Sequence, residues 1–129
     1  MIIVRNDMIP FDGFKAITFF PFIFVREDCS FNKMDERHER IHGRQQIEMT
    51  ILGIIIAVIL FLTKCGWWSL CPIGLFYEWY VTEWLIRFIV GNNAYRKISL
   101  EQEAYDNESD PQYLDDRMAF SWIKYLFKL

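Results

Sequence analysis

The sequence predicts a mainly α-helical membrane protein: a helical hairpin in the bilayer with a long motif-bearing helix, a small N-terminal β-hairpin and a C-terminal amphipathic helix. Three observations lead to this fold class. Hydrophobic residues make up 53% of the chain and aromatic residues 18%, both above the usage of ordinary soluble proteins. Two long apolar stretches follow one another, and no proline interrupts residues 33–71, so one continuous helix can form over residues 33–63. With 129 residues, the chain is expected to form a single domain.

Residues 1–30 predict short strands separated by turns. Met1 to Val4 is one candidate strand, and the β-branched and aromatic run from Ile17 to Val25 is a second, interrupted at Pro21. A proline within a strand favours a position at the edge of the sheet. Two interpretations stay open: the segment lies on the membrane surface, or its edge binds an extended peptide by strand addition.

The motif-bearing helix is expected over residues 33–63. Asn32 is a suitable N-cap, and Asp35 and Glu36 follow in the first turn, where carboxylates suit the helix dipole. The second part of this helix, residues 49–63, carries no charge and is slightly shorter than the roughly 20 residues that a full crossing prefers. We therefore expect a helix that begins polar and continues into a first membrane span.

A second span is expected over residues 71–91, after a short turn. Trp67 and Trp68 lie beside this turn and fit an interfacial aromatic belt. Glu83 and Arg87 are four residues apart, the spacing at which they pair on one helix face. Charged residues within a span face the interior of a bundle or a polar cavity, so this pair is expected inside.

Both termini are expected on the cytoplasmic side of the cytoplasmic (inner) membrane. Basic residues flank the two spans on the side of the termini, whereas the turn has only Lys64, and positive residues favour the cytoplasm. The flanking residues are Arg37, Arg40, Arg44, Arg96 and Lys97. The turn would then face the outside, where Cys65 and Cys71 have two alternatives, a disulfide that closes a small loop or two buried thiols. The first residues lack the pattern of a secretory signal, so membrane entry is expected through the internal segments.

Residues 94–129 are expected to form a polar segment followed by an amphipathic helix. The sequence Gly91-Asn92-Asn93 signals a helix stop, and acidic residues are frequent up to Asp116. From there, polar side chains recur at helical spacing: Arg117, Ser121, Lys124 and Lys128. We expect this basic stripe to face lipid headgroups, and the alternative is a terminal helix that packs on the rest of the protein.

Residues 38–42 read His-Glu-Arg-Ile-His and contain both histidines of the chain. Side chains four residues apart lie on the same helix face, so His38 and His42 can bind one Zn²⁺ ion. Glu39 would then act as general base toward a water that the metal acidifies, which is the chemistry of amide hydrolysis. The alternative interpretation is a solvated, charged helix end.

A third metal ligand is expected from the acidic segment that follows the hairpin. A catalytic zinc normally has three protein ligands and a water, and a glutamate commonly accompanies two histidines. A helical hairpin returns the chain to the membrane face where the motif lies, so Glu101 and Glu103 are both candidates. They lie on different faces of a helix, and spacing alone does not choose between them. A solvated acidic helix is the alternative.

The two motifs resemble those of the gluzincin zinc peptidases. The similar segments are His38-Glu39-Arg40-Ile41-His42 with Gln45, and Ser99-Leu100-Glu101-Gln102-Glu103-Ala104. The integral-membrane branch is the most similar; it includes the CAAX prenyl proteases, the bacterial heat-shock membrane protease and the β-lactam sensor-transducer peptidases. The run from Ile17 to Val25 resembles the strand that these peptidases place along their substrate. The whole chain also resembles a group of short bacterial membrane proteins with the same order of parts.

The resemblance implies roles for individual residues. In the peptidase branch the second motif is E-x-x-A-D, in which the Glu binds zinc and the Asp steadies a ligand histidine. Carried over, Glu101 is the ligand, Ala104 keeps its place, and Tyr105 stands where the Asp is expected. Asp106 and Glu108 are the candidates to replace that Asp, unless Tyr105 itself hydrogen-bonds an oxyanion.

The expected function is that of a zinc metalloendopeptidase that hydrolyses peptide bonds at the cytoplasmic membrane face, with a peptide or a membrane protein as substrate. Tyr95, Arg96 and Tyr105 are the nearest candidates to donate a proton or to stabilise an oxyanion. The alternative is a non-enzymatic membrane scaffold or sensor, or a subunit of a larger complex, with a structural or vestigial zinc site. Self-association stays open.

Composition argues against two other classes of protein. The net charge is −3 and the basic residues are scattered among acids, a pattern that does not favour nucleic-acid binding. The three cysteines lack the paired spacing of a structural zinc finger.

Overall fold

A computed structural model of the chain describes residues 1–91 and 93–128. It is mainly helical, with a small three-stranded sheet at the N-terminus. The longest element, helix α1, spans Lys33–Leu62. The Asn32 side chain accepts hydrogen bonds from the backbone N–H groups of Met34 and Asp35, and the Asp35 carboxylate accepts one from Asn32 N–H at 2.8 Å. This reciprocal cap begins the helix where the sequence predicts it.

The sheet contains strands β1 (Ile2–Asn6), β2 (Ala16–Phe19) and β3 (Phe22–Arg26) in the order β1-β3-β2. Strands β2 and β3 form an antiparallel hairpin, and β1 pairs with β3 in parallel. The expected hairpin exists, but its strands differ from the predicted ones. Pro21 lies in the turn between β2 and β3 and does not interrupt a single strand. Proline has no N–H to contribute to a ladder, so the turn is where it costs least. The predicted edge position is confirmed for β2, but it is wrong for β3, which is the central strand.

A 3-10 helix, Gly66–Gly74, packs along the apolar second half of α1. The two backbones meet at Gly53, where a Cβ atom would lie 1.9 Å from the Pro72 carbonyl oxygen. Cys65 precedes this 3-10 helix and Cys71 lies within it. Both are free and exposed, so neither of the two alternatives, a disulfide or buried thiols, is present.

Helix α2 spans Leu75–Val90 and has 16 residues. It is shorter than the expected second span over residues 71–91, because Pro72 and its neighbours belong to the preceding 3-10 helix. Within the described part of the chain, α1 is the one helix long and apolar enough to cross a membrane. The structure therefore gives no support for two spans or for cytoplasmic termini.

The predicted pair of Glu83 and Arg87 is confirmed, with Arg87 Nη2 2.7 Å from a Glu83 oxygen and both side chains buried. Glu83 also accepts hydrogen bonds from the N–H and the hydroxyl of Ser99, at 2.9 and 2.6 Å. Ser99 begins helix α4 (Ser99–Asn107), which follows the short helix α3 (Ala94–Lys97). The charged pair on α2 thus fixes the start of the helix that carries the third-ligand candidates.

The C-terminal region differs from the prediction. It contains the one-turn helix α5 (Tyr113–Asp116) and a 3-10 helix, Ser121–Tyr125, and not an amphipathic α-helix over residues 117–129. Arg117, expected at the lipid headgroups, is buried and pairs with Glu48 and Glu103. Helical periodicity could not reveal this, because it depends on carboxylates far away in the sequence. The segment packs on the rest of the protein, as the alternative proposed; Leu129 and Asn92 lie outside the described residues.

One hydrophobic core joins α1, α2, α4 and the C-terminal segment. Its buried members are Met49, Phe76, Ile98, Leu100 and Trp122. By contrast, large apolar side chains remain exposed along the second half of α1, on the first 3-10 helix and on α2. A contiguous apolar surface of this kind is typical of a membrane or protein contact.

We expect the substitution Gly53→Ala to destabilise the protein, although alanine is the better helix former by about 1 kcal/mol. The added methyl group would meet the Pro72 carbonyl, a backbone atom that can move only if the 3-10 helix leaves α1. Gly43→Ala is the matched control, since its Cβ would meet only the flexible Met1 side chain. Thermal unfolding in detergent should show a lower midpoint for Gly53→Ala and an unchanged or higher one for Gly43→Ala. Equal midpoints would contradict the close approach.

Candidate metal centre

His38 and His42 lie one turn apart on α1, and Glu101 reaches them from α4. The two Nε2 atoms are 3.1 Å apart, and the distance from each to a Glu101 carboxylate oxygen is 3.4 Å. All three side chains are buried. Tetrahedral zinc with bonds of about 2.0–2.1 Å holds its ligand atoms roughly 3.3 Å apart, so this cluster has the dimensions of a metal site.

The surroundings of the Glu101 carboxylate indicate most clearly that this cluster can bind a cation. Its Oε1 accepts a hydrogen bond from the Tyr80 hydroxyl at 2.8 Å. Its Oε2 is buried and has no hydrogen-bond partner among the described residues. Buried polar atoms almost always have a partner. An orphaned anionic oxygen next to two imidazoles therefore fits a metal ion well.

The charges within the cluster interact strongly. Burial by itself lowers the pKa of His42, but the charge and hydrogen bond of Glu101, the charge of Glu39 and the contact with Gln45 together outweigh burial and raise this pKa to about 9. Burial likewise raises the pKa of Glu101, but the neighbouring imidazoles outweigh it and hold this pKa below its ordinary value. The buried Glu101 carboxylate and the His42 imidazole thus stabilise each other's charged forms.

Each histidine is held in place by a contact to Nδ1, the ring nitrogen that does not face Glu101. His38 Nδ1 lies 2.8 Å from Glu108 Oε2, and His42 Nδ1 lies 2.8 Å from Gln45 Oε1. Both contacts turn the Nε2 atoms toward Glu101, the arrangement that metal-binding histidines usually show. Of the two residues considered for the missing Asp, Glu108 contacts the histidine, whereas Asp106 is exposed and pairs with Lys128 at 3.3 Å.

Glu103, the alternative ligand, points away from the histidines. It is fully buried and contacts Arg117, Tyr113 and Gln45. The structure thus brings Glu101 to the histidine pair and places Glu103 in a separate network. The orientation of α4 decides this, because Ile98 and Leu100 are buried in the core and set the rotation of the helix.

Glu39 is buried beside the two histidines, and Thr18 of β2 holds it. The Thr18 hydroxyl lies 2.8 Å from Glu39 Oε2 and 3.0 Å from the Glu39 carbonyl oxygen. Gln46 ties the same strand to α1, because its amide donates to Thr18 O at 2.6 Å and accepts from Phe20 N–H at 2.9 Å. Strand β2 is therefore fastened beside the motif.

A cavity of about 420 Å³ opens next to this cluster. Its polar lining includes His38, His42, Glu101 and Glu39. The remaining wall is mostly apolar and aromatic and comes from β2, α2 and neighbouring segments: Phe14, Ala16, Ile17, Phe76, Tyr77, Tyr80, Val81, Trp84 and Tyr95. An apolar cleft with a few convergent polar groups is the usual form of a ligand site.

The other residues predicted for the site have different positions. Tyr95 lines the cavity, whereas Arg96 and Tyr105 do not. The Tyr105 ring packs edge-on against His38, with centroids 4.6 Å apart, and the Arg96 guanidinium lies 4.8 Å from the centre of the Tyr105 ring. These two residues therefore shield His38 from the outside.

Sequence reasoning missed four residues of the site: Thr18, Gln45 as a support for His42, Gln46 and Tyr80. For the two glutamines a signal existed, since they follow His42 by three and four residues and so lie on its side of the helix. Thr18 and Tyr80 reach the site through tertiary packing, which no local pattern reveals.

Comparison of the chain with protein-family models, with curated proteins and with solved structures found no match.

We expect the wild-type protein, purified in detergent, to bind about one metal ion per chain and Glu101→Gln to lose it, because a neutral amide replaces the one anionic ligand. His42→Ala should lose the metal as well. Asp106→Asn is the matched control, since it neutralises an exposed carboxylate on the same helix. Elemental analysis measures all four proteins. Metal retained in folded Glu101→Gln would exclude Glu101 as a ligand.

Proposed function

We propose that the chain is a zinc metalloendopeptidase of gluzincin type that acts on peptide or membrane-protein substrates at the cytoplasmic face of a membrane. The observation that carries this proposal is the convergence of His38, His42, Glu101 and Glu39 on one cavity. Three protein ligands leave a position open, as in catalytic sites, whereas structural zinc sites use four. This count favours an enzyme over the scaffold alternative.

The chemistry that a zinc ion supplies at such a site is polarisation of the scissile carbonyl and acidification of a water molecule. Glu39 is placed to take the proton of the attacking water, because its carboxylate lines the same cavity as the ligands. Thr18 holds Oε2, so Oε1 is the oxygen that receives the proton. Glu39 then returns this proton to the leaving amine as the C–N bond breaks. The C–O bond formed by the water leaves a carboxylic acid, whose remaining proton passes to the released amine.

Strand β2 is suited to hold the substrate in an extended form. The Thr18 carbonyl oxygen accepts a hydrogen bond from Gln46 and not from β3, so it points to the free edge of β2. In a strand, the N–H and C=O groups of one residue point to the same side, so Thr18 N–H also faces this edge. Ala16, two residues earlier, shares this direction, and both residues line the cavity. A peptide that adds to this edge would run past Glu39, which supports the peptide-binding interpretation of the N-terminal segment over the membrane-surface one.

Tyr95 is the best placed of the three candidates for stabilising an oxyanion. Its burial, together with the charge of Glu101, holds its pKa above the ordinary value, so the hydroxyl keeps its proton and can donate a hydrogen bond. Arg96 and Tyr105 lie outside the cavity lining and support His38 instead.

The exposed apolar residues support a membrane location. They cover the second half of α1, the adjoining 3-10 helix and α2, and the cavity wall residues Tyr77, Val81 and Trp84 belong to this surface. The basic residues near the ends of these segments favour the cytoplasm for the site. The cavity would then be open to a substrate held in or near the bilayer.

Glu39→Gln is the test of the enzymatic proposal. The amide keeps the size of the side chain and an oxygen for Thr18, but it cannot accept a proton. We expect metal binding to be retained and the hydrolysis of fluorogenic peptides in micelles to fall by about 10²–10⁴-fold.

Glu36→Gln is the matched control for this experiment, because Glu36 lies one turn earlier on α1 and pairs with Arg40, away from the cavity. Its activity should equal that of the wild type. If Glu39→Gln keeps its full function while His38→Ala unfolds the protein, the scaffold alternative replaces the peptidase.

A further inference from the structure

A second polar cluster lies behind His42, outside the cavity, and it joins α1 and α4 to the C-terminal segment. The Arg117 guanidinium pairs with Glu103, with Nε 2.5 Å from Oε1, and with Glu48. Tyr113 donates a hydrogen bond to Glu103 Oε1 at 2.8 Å, and the Phe120 N–H donates one to Glu48 Oε2 at 3.0 Å. The Glu103 side chain is fully buried, and that of Arg117 is 3% exposed.

Gln45 connects this cluster to the metal centre. Its Nε2 donates to Glu103 Oε2 at 2.9 Å and to the Leu100 carbonyl oxygen at 3.0 Å. Its Oε1 lies 2.8 Å from His42 Nδ1. Gln45 is itself fully buried, so no solvent can replace any of these contacts. A continuous chain of hydrogen bonds thus runs from His42 through Gln45 and Glu103 to Arg117.

The direction of the Gln45 amide decides which nitrogen of His42 carries the proton. Two acceptors face the NH₂ group, so the carbonyl oxygen must face His42. If the amide were rotated by half a turn, its oxygen would face the Glu103 carboxylate and the Leu100 carbonyl oxygen. All three groups are acceptors, so no hydrogen bond could form. His42 Nδ1 must therefore donate, and His42 Nε2 keeps the lone pair that a metal needs.

Glu103 can hold Gln45 in this direction only while its own charge is balanced. A fully buried carboxylate without a cation is unfavourable, and its side chain would turn away from Gln45. Arg117 supplies that cation and aligns both Glu103 oxygens with its planar guanidinium, with Nη2 3.2 Å from Oε2.

We propose that Arg117 is a positioning residue of the metal centre, which acts on His42 through Glu103 and Gln45. The C-terminal segment is then part of the metal site and not merely a cover for the core. This inference rests on the metal centre of the proposed function, but it does not require peptide hydrolysis.

Titration of the full-length, detergent-solubilised protein with Co²⁺ tests the inference, because cobalt reports both affinity and coordination through its visible absorption. We expect Arg117→Met to weaken Co²⁺ binding by about 10–100-fold and to change the absorption spectrum. The matched control is Arg26→Met, which removes a largely buried arginine that pairs with Asp12 and Asp28 and has no contact with the metal centre. It should lower the thermal midpoint but leave affinity and spectrum as in the wild type.

A double-mutant cycle separates positioning from a general loss of stability. If Arg117 acts through Gln45, Arg117→Met should cause no further loss of Co²⁺ affinity in a Gln45→Met background. Fully additive losses, or wild-type affinity and spectrum in folded Arg117→Met, would overturn the inference.

If Arg117→Met does not fold, Arg117→Lys takes its place, since it keeps the charge and loses the planar fork. A smaller loss of affinity with the same spectral change is expected, and no change would overturn the inference. Wild-type protein that binds no Co²⁺ would overturn the metal centre and this inference together. Wild-type protein that binds Co²⁺ and hydrolyses no peptide would overturn only the peptidase.

Discussion

The burial of carboxylates in a largely apolar molecule is the constraint on which the structure depends. Glu83 and Glu103 each meet a buried arginine, and these pairs fasten α2, α4 and the C-terminal segment to one another. Glu101 is different, because only a tyrosine hydroxyl and two imidazoles face it. An unbalanced charge inside a protein is unfavourable, so each buried glutamate needs a cation nearby. For Glu101, the surrounding residues suit a metal ion.

Features that depend on neighbours in sequence could be predicted. The Asn32 cap, the position of the motif on α1 and the pairing of Glu83 with Arg87 involve residues no more than four positions apart, and the structure contains all three. Their physics is local, because helix geometry alone brings such residues together. The same reasoning found both histidines of the candidate site, whereas Glu101 was one of two acidic candidates named from the expected return of the helical hairpin.

Features that depend on distant residues could not be predicted. Arg117 has the spacing of a surface stripe, yet its partner Glu48 is 69 residues away, on α1. The choice of Glu101 over Glu103 follows from the rotation of α4, which Glu83 and the core residues set. Pro21 was misassigned for a related reason: a proline that weakens a strand also makes a good hairpin turn, and only the pairing of β2 with β3 distinguishes the two.

The hydrogen bonds between Gln46 and β2 limit how many residues of another strand can pair with this edge of the sheet. An exposed edge strand invites pairing with other chains and hence aggregation. Gln46 occupies the Thr18 carbonyl and the Phe20 N–H, so one end of that edge is already saturated by a side chain. An incoming strand can therefore pair only with the stretch near Ala16 and must stop at the amide. At this edge, Gln46 thus sets the length of the strand that can be added.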